Sequence, residues 1–231
     1  MAIGFAIFFG LVSLLLLFMS FTFFKRKRII ENIPTSKVRS LALGLVEVVG
    51  IVTEPKEVFL SPITKKECAY YHLLIEETGD EEGRSFTYVN EEKQAEFYLQ
   101  DSTGKILIEP ELGEFYFDKK NNFFETYYGK VPPEVERLLK GSNYVQKRNK
   151  GIKVSEKCLP INSQAHILGS VEKSKEFGSL KIKRGRDKIL IIGRADQKTL
   201  AKQFRNNALV LLFFGFCGLG VVITIISKGI L

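Results

Sequence analysis

Three cysteines and two histidines are all that the 231 residues offer to zinc, thiol or imidazole chemistry. No CxxC occurs, so neither a zinc ribbon nor a RING can be built from these residues. Cys217 falls in an oily run, while Cys68 and Cys158 each fall in an apolar, strand-like stretch and read as free, partly buried thiols. A Cys68–Cys158 disulfide is the alternative, and it requires an exported domain. His72 and His166 both lie in strand-like segments and read as strand residues rather than as a base or a ligand. GxSxG, HExxH, Walker A and dinucleotide glycine patterns are missing too. The expectation is no self-contained active site, no metal and no cofactor.

Charge is missing from both ends. Residues 2–24 and 206–227 carry none, and between them lie 33 of the 34 Lys and Arg and all 26 acids. The first run, "AIGFAIFFGLVSLLLLFMSFTFF", would reach about 34 Å as a helix, enough for a hydrocarbon core of about 30 Å, and the second is similarly long. Both are expected to span. A cleaved signal peptide is the competing reading of the first run, but it lacks a basic start and a small-residue cleavage site, and it ends Phe-Phe-Lys-Arg. Lys25, Arg26, Lys27 and Arg28 abut the inner end of the first span, and Lys202 and Arg205 precede the second, which predicts a cytoplasmic central domain. The expected division is a transmembrane helix at 2–24, a β-rich domain at 25–205 and a second transmembrane helix at 206–227.

The middle segment alternates like strands. "NIPTSKVRSLALG" suggests a short helix capped by Thr35 or Ser36 and ending at Gly44. "LVEVVGIV" then places Val46, Val48 and Val52 on one face and Glu47 on the other. "ECAYYHLLIEE" reads as the longest and most central strand, with Ala69, Tyr71, Leu73 and Ile75 on one side and Cys68, Tyr70, His72 and Leu74 on the other. "AEFYLQDSTGKILIEP" is a hairpin turning at Asp101–Gly104. "VPPEVERLLKGS" is a short helix with Gly141 as its C-cap. "GIKVSEKCLP", "QAHILGSV", "GSLKIKR" and "DKILIIGR" are further strands, and a final helix runs unbroken from near Ala195 into the second span. No repeat or heptad is visible. The predicted fold is membrane-anchored α+β: a β-rich, mostly antiparallel small barrel, OB-like, with short helices, flanked by two transmembrane helices.

Candidate sites are electrostatic and steric. Lys25, Arg26, Lys27 and Arg28, with Lys181, Lys183, Arg184, Arg186 and Lys188 of a later hairpin, are placed to reach anionic headgroups; a lysine-guarded hairpin edge would look the same. Ala2, Ala6 and Gly10 form a small-xxx-small row for helix packing, with Gly215, Gly218 and Gly220 of the second span as partners. The acidic tip Glu76, Glu77, Asp80, Glu81 and Glu82 lacks the spacing of a calcium loop and reads as a solvated turn. Tyr70, Tyr71, Tyr88 and Tyr98 near basic residues leave an OB-like nucleic-acid face as an alternative, although aromatics alternating on strands favour core. The expected partners are the lipid bilayer and a protein of unknown identity; a homo-oligomer is left open and nucleic acid is disfavoured.

The runs "PTSKVRSLALGLVEVVGIV", "LSPITKKECAYYHLLIEE", "FYLQDSTGKILIEP" and "SEKCLPINSQAHILGSV", in this order, resemble the BAM/GIDE ("beside a membrane") domain family. The resemblance implies a module set between two membrane helices that senses or binds something. In the mitochondrial membrane ubiquitin ligase of the family, a separate C-terminal RING performs the transfer. RING cysteines are missing from these residues, so ligase activity is not carried over; a ligase-like role with a RING partner in trans is the alternative. That ligase presents the module to the intermembrane space, whereas the basic flanks here argue for the cytoplasm.

Overall fold

A computed structural model describes residues 2–78, 85–117, 122–142, 144, 150–174, 179–194 and 197–229. They form three α-helices, α1 (Ala2–Asn32), α2 (Pro133–Leu139) and α3 (Gln197–Gly229), and two compact units: residues 1–34 with 196–231, and residues 35–195.

The first unit is a pair of helices, each long and apolar enough to cross a membrane. α3 runs unbroken for 33 residues, as expected from the lack of a breaker before the second span. The two helices pack antiparallel: the Ser20 hydroxyl donates to the Ala208 carbonyl at 2.8 Å, and Phe23 meets Phe204 with ring centroids 6.0 Å apart. The less exposed side of α1 follows Ala6, Gly10, Ser13, Leu17, Ser20 and Phe24, in steps of four and three. On α3 it follows Ala201, Phe204, Ala208, Leu211, Gly215 and Gly218. This is a heptad seam, the spacing that lets two helices stay in contact along their length. The sequence hid it because the seam mixes small residues with Leu17, Phe24, Phe204 and Leu211, while other large apolar residues, Phe5, Phe8, Phe18 and Phe21, face outward.

The second unit is built on a closed ring of five strands: β2 (Gly44–Thr53), β6 (Phe97–Asp101), β7 (Gly104–Ile108), β12 (Leu180–Lys183) and β11 (Gln164–Lys173). β2 pairs β6, β6 turns into β7, β7 runs parallel to β12, β12 pairs β11, and β11 returns to β2. In chain order the ring reads 1-2-3-5-4-1, the OB-barrel arrangement. The residues opposite one another around it are all core: Val52 and Leu99, Phe97 and Ile108, Ile108 and Ile182, Ile182 and Val171, Ile167 and Val48. One buried face therefore fixes every register. β1 (Thr35–Ser36) lies parallel on β2; β13 (Ile191–Gly193) lies on β11, with β8 (Glu114–Tyr116) parallel beside it. A Cβ at Gly193 would run into the Tyr116 carbonyl oxygen, so only glycine permits that approach.

The remaining strands form a second sheet, ordered β3 (Phe59–Leu60), β4 (Glu67–Glu77), β10 (Gly151–Pro160) and β9 (Asn122–Tyr128), with β5 (Thr87–Gln94) also on β4. It is assembled from two insertions into the barrel. β3, β4 and β5 come between its first and second strands, and β9, α2 and β10 between its third and fourth. The two meet along the β4–β10 ladder, over a core of Leu73, Ile75, Val154 and Cys158 with Val135 and Leu139 of α2.

Three local expectations are corrected. The helix expected between Thr35 and Gly44 is a short strand plus a three-residue 3-10 turn, Val38–Ser40. The tertiary partner wins here, because Asp101 accepts the Val38 N–H at 3.0 Å. On β4 the alternation breaks at Ala69: Leu159 faces Tyr70 and Pro160 faces Cys68, so Ala69 is bulged and Cys68 joins the face of Tyr71, Leu73 and Ile75. Pro160 lacks the N–H that would continue the ladder. Gly141 is no left-handed cap; α2 ends with the Ser142 N–H and hydroxyl donating to the Leu139 carbonyl at 2.9 and 2.7 Å.

Candidate functional site

The buried acids define where chemistry could lie. β10 places Ile152, Val154, Glu156 and Cys158 on one face, so Glu156 points into a core. It is 1% exposed and accepts the N–H of Ile63 at 2.6 Å, the N–H of Thr64 at 3.1 Å and the Thr64 hydroxyl at 2.5 Å. Ser61 completes the network, 2.8 Å from the Thr64 hydroxyl and accepting the Lys66 N–H at 3.0 Å. The carboxylate thus folds the loop between β3 and β4. Glu77 is likewise buried, taking the Tyr88 hydroxyl at 2.5 Å and the Lys150 ammonium at 2.6 Å. Burial, then the bond to Glu77, pushes the Tyr88 phenol up to about 12. Glu47, expected on the solvent side, is buried beneath β1, accepts the Thr35 hydroxyl at 2.9 Å and lies 3.7 Å from His166 Nδ1.

The thiols are protected. Cys68 and Cys158 are free and buried in the second-sheet core. Burial, followed by the proximity of Cys158 and Glu156, pushes the Cys68 thiol up to about 12; burial and then Glu156 push Cys158 up as well. Neither is poised as a thiolate nucleophile. His72 is on the second sheet, 2.8 Å from Asn90 Oδ1, and His166 is on the barrel, so the two histidines belong to different sheets. Among the described residues no three metal-ligating side chains converge. Of the acidic tip, Glu76 and Glu77 end β4, while Asp80, Glu81 and Glu82 lie outside the described residues.

The barrel strands that carry ligands in OB folds are the second and third. Here they bear Tyr98 and Lys105, with the ammonium 4.9 Å from the ring centroid, but Lys105 is also tied to Glu54 at 2.7 Å. Tyr70 and Tyr71 are each 3% exposed, with Tyr70 stacked on Phe115 at 3.6 Å and Tyr71 donating to Glu91 at 2.5 Å. The four tyrosines singled out from sequence therefore form no common platform.

The basic residues are partly committed. Lys181 meets Glu109 at 2.6 Å, Lys183 meets Glu172 at 2.9 Å, and Arg184 donates to the carbonyls of Lys188 and Leu112 at 3.1 and 3.2 Å. Arg186 and Lys188 are exposed, and Lys188 lines an open groove of about 530 Å³ together with Glu109, Glu111, Leu112, Lys183 and Arg184. Lys25 and Arg28 are exposed and Arg26 half-buried on α1, where Lys27 pairs with Glu31 at 2.8 Å. In the helix seam a Cβ at Gly215 would strike Leu17, and one at Gly218 would strike Ser13. Gly10 and Gly220 have open space around them, Ala6 is half-buried, and the Ala2 side chain lies outside the described residues.

Comparison with protein families gives a match to GIDE, described as E3 ubiquitin ligase, over residues 71–226. The chain belongs to the GIDE family. Comparisons with curated proteins and with solved structures find no match. The GIDE match runs from within β4 through most of α3, so it takes in a membrane-spanning helix as well as most of the barrel. This GIDE protein is a membrane protein with a β-barrel domain and two apolar terminal helices. The runs that carried the resemblance serve the fold: "SPITKKEC" and "SEKC" hold the two ends of the Glu156 network, and "DSTG" is the turn that Asp101 closes. Sequence reasoning missed Glu156 and Asp101 as hubs. The signal for Glu156 was an acid standing in the apolar phase of β10.

Proposed function

We propose that this GIDE protein holds its barrel domain at the cytoplasmic face of a membrane as a non-catalytic binding or scaffolding module. The observation that carries this reading is the use of the buried acids: Glu156 and Glu47 accept from loop or strand neighbours, and Glu77 is neutralised by Lys150. With the thiols protonated and the histidines apart, the described residues offer binding surface rather than a reacting centre. Basic side chains on α1 and in the loop with Arg186 and Lys188 supply affinity for anionic headgroups, each worth about 1 kcal/mol near a charged surface. The experiment is site-directed labelling in intact cells of a Cys217→Ser background carrying Arg186→Cys. Labelling only after the cytoplasm is opened supports the orientation, and labelling from outside overturns it. Full function in a Cys68→Ala, His72→Ala, Cys158→Ala triple variant supports a non-catalytic role, provided the variant stays folded.

The family's description as E3 ubiquitin ligase favours a second reading, a membrane component that works with a RING protein in trans. Co-purification of a RING protein from detergent extracts distinguishes it.

A further inference from the structure

Two of the outer strands of the second sheet, β5 and β9, are of opposite character. β5 exposes the polar and charged residues Asn90, Glu92, Lys93 and Gln94, the usual protection of a sheet edge. β9, "NFFETYY", has β10 on one side and no strand on the other among the described residues, and it carries a single charge, Glu125. Phe123 and Tyr127 turn inward onto the second-sheet core. Phe124 and Tyr128, on the opposite face, are 65% and 77% exposed.

We propose that β9 is a homodimer interface, on which a second copy of this chain adds its own β9 antiparallel to extend the sheet across a two-fold axis. The inference is independent of the proposed function. A two-fold perpendicular to the sheet keeps each residue on its own face, so it must pass midway between the two copies of one residue of the strand. Centred on Glu125, it sets the two like charges opposite each other, which destabilises. Centred on Tyr127, it leaves Glu125 beyond the strand, against Gly129 of the second copy. Centred on Thr126, the pairs that fall within the strand are complementary: Thr126 meets Thr126, Phe124 meets the second copy's Tyr128 on the exposed face, and Glu125 meets the second copy's Tyr127, while Phe123 lies against Gly129 beyond the strand. Threonine pairs and aromatic pairs are among the favourable cross-strand combinations. The Tyr127 hydroxyl already donates to Glu125 within one chain, so a phenol opposite that carboxylate is chemically matched. The single acid of the strand is thus met by the second copy's own phenol in this register and penalised only in the register centred on Glu125, and this self-complementarity is why the proposal commits to a second copy.

The test uses the full chain in nanodiscs with Cys217→Ser, which removes the exposed native thiol and leaves the buried Cys68 and Cys158. Thr126→Cys should give a covalent dimer under mild oxidation, because the two Cβ atoms would lie about 5 Å apart across the axis. Glu125→Cys should not, since its counterpart is offset by two positions. Thr126→Lys should lower the dimer fraction in mass photometry about tenfold at equal concentration by placing two cations on the axis. A wild-type chain that is monomeric at all concentrations overturns the proposal. So does a dimer that cross-links at position 125 as well as at 126, or one that persists with no cross-link at 126, as a dimer formed through the membrane helices would.

Discussion

The helix pair and the β domain solve the same problem with opposite materials. In the β domain the large apolar side chains are inside: Phe97, Leu99, Ile108 and Ile167 are at most 1% exposed. In the helix pair the buried positions include Ser13, Ser20, Ala201 and Ala208, while Phe8, Phe18 and Phe213 are each more than 60% exposed. Water drives apolar surface inward, and a hydrocarbon solvent does not, so close helix approach there rests on small residues, dispersion and interhelical hydrogen bonds. The contrast teaches that one sequence here is written for two solvents.

The largest expected effect sharpens the β side of that contrast. Glu156→Ala strips three donors of their acceptor at a buried position, and should cost about 3 kcal/mol, read as a fall in the denaturation midpoint of the β domain; Glu156→Gln should recover part of it. If Glu156→Ala is neutral, the carboxylate does not hold the loop. The next effect tests the helix side. Gly218→Leu overpacks the seam against Ser13 and should destabilise the pair by about 2 kcal/mol, whereas Gly220→Leu, in open space, should not. Monitoring proximity of reporters on the two helices separates these outcomes, and equal effects would break the contrast. The smallest effect concerns Asp101. Burial acts to raise its carboxyl, but hydrogen bonds from Thr103, Val38 and Gly104 outweigh it, and the group is held below the ordinary carboxylate range. Its stabilisation is therefore fully present above the unfolded carboxylate's value and is lost as pH falls through the lower folded one. Asp101→Asn should cost about 1 kcal/mol at neutral pH, and that gap should close in acid; a pH-independent gap would point to sterics alone.

How much was legible follows the same division. The two spans were plain, because twenty-odd residues without charge leave few alternatives. The hairpin at Asp101–Gly104 and the start of α2 were plain because turn residues and a proline at a helix start act locally, whereas the C-cap expected at Gly141 was not found. A small OB-like barrel was expected from the number and alternation of the strands, but which strands close it was not legible, since the pairing of β2 with β11 joins residues far apart in sequence and each strand alone shows only alternation. The bulge at Ala69 was invisible because its cause, Pro160, sits on another strand. The heptad seam escaped because hydrophobic periodicity, the usual guide, is inverted in lipid. The functional residues were least legible: lysines and arginines were visible by type, but whether each is spent on a carboxylate, as Lys181 and Lys183 are, depends on tertiary neighbours.

The barrel ring has a temporal side. Its first strand, β2, finds its fourth, β11, only after both insertions have been made, and the ring shuts only when β12 emerges. A ribosome therefore releases an open β2–β6–β7 ribbon, apolar on one face, well before its closing partners exist. Contacts so distant in sequence form slowly, and a chain arrested after β10 would present the very surface on which nascent chains aggregate.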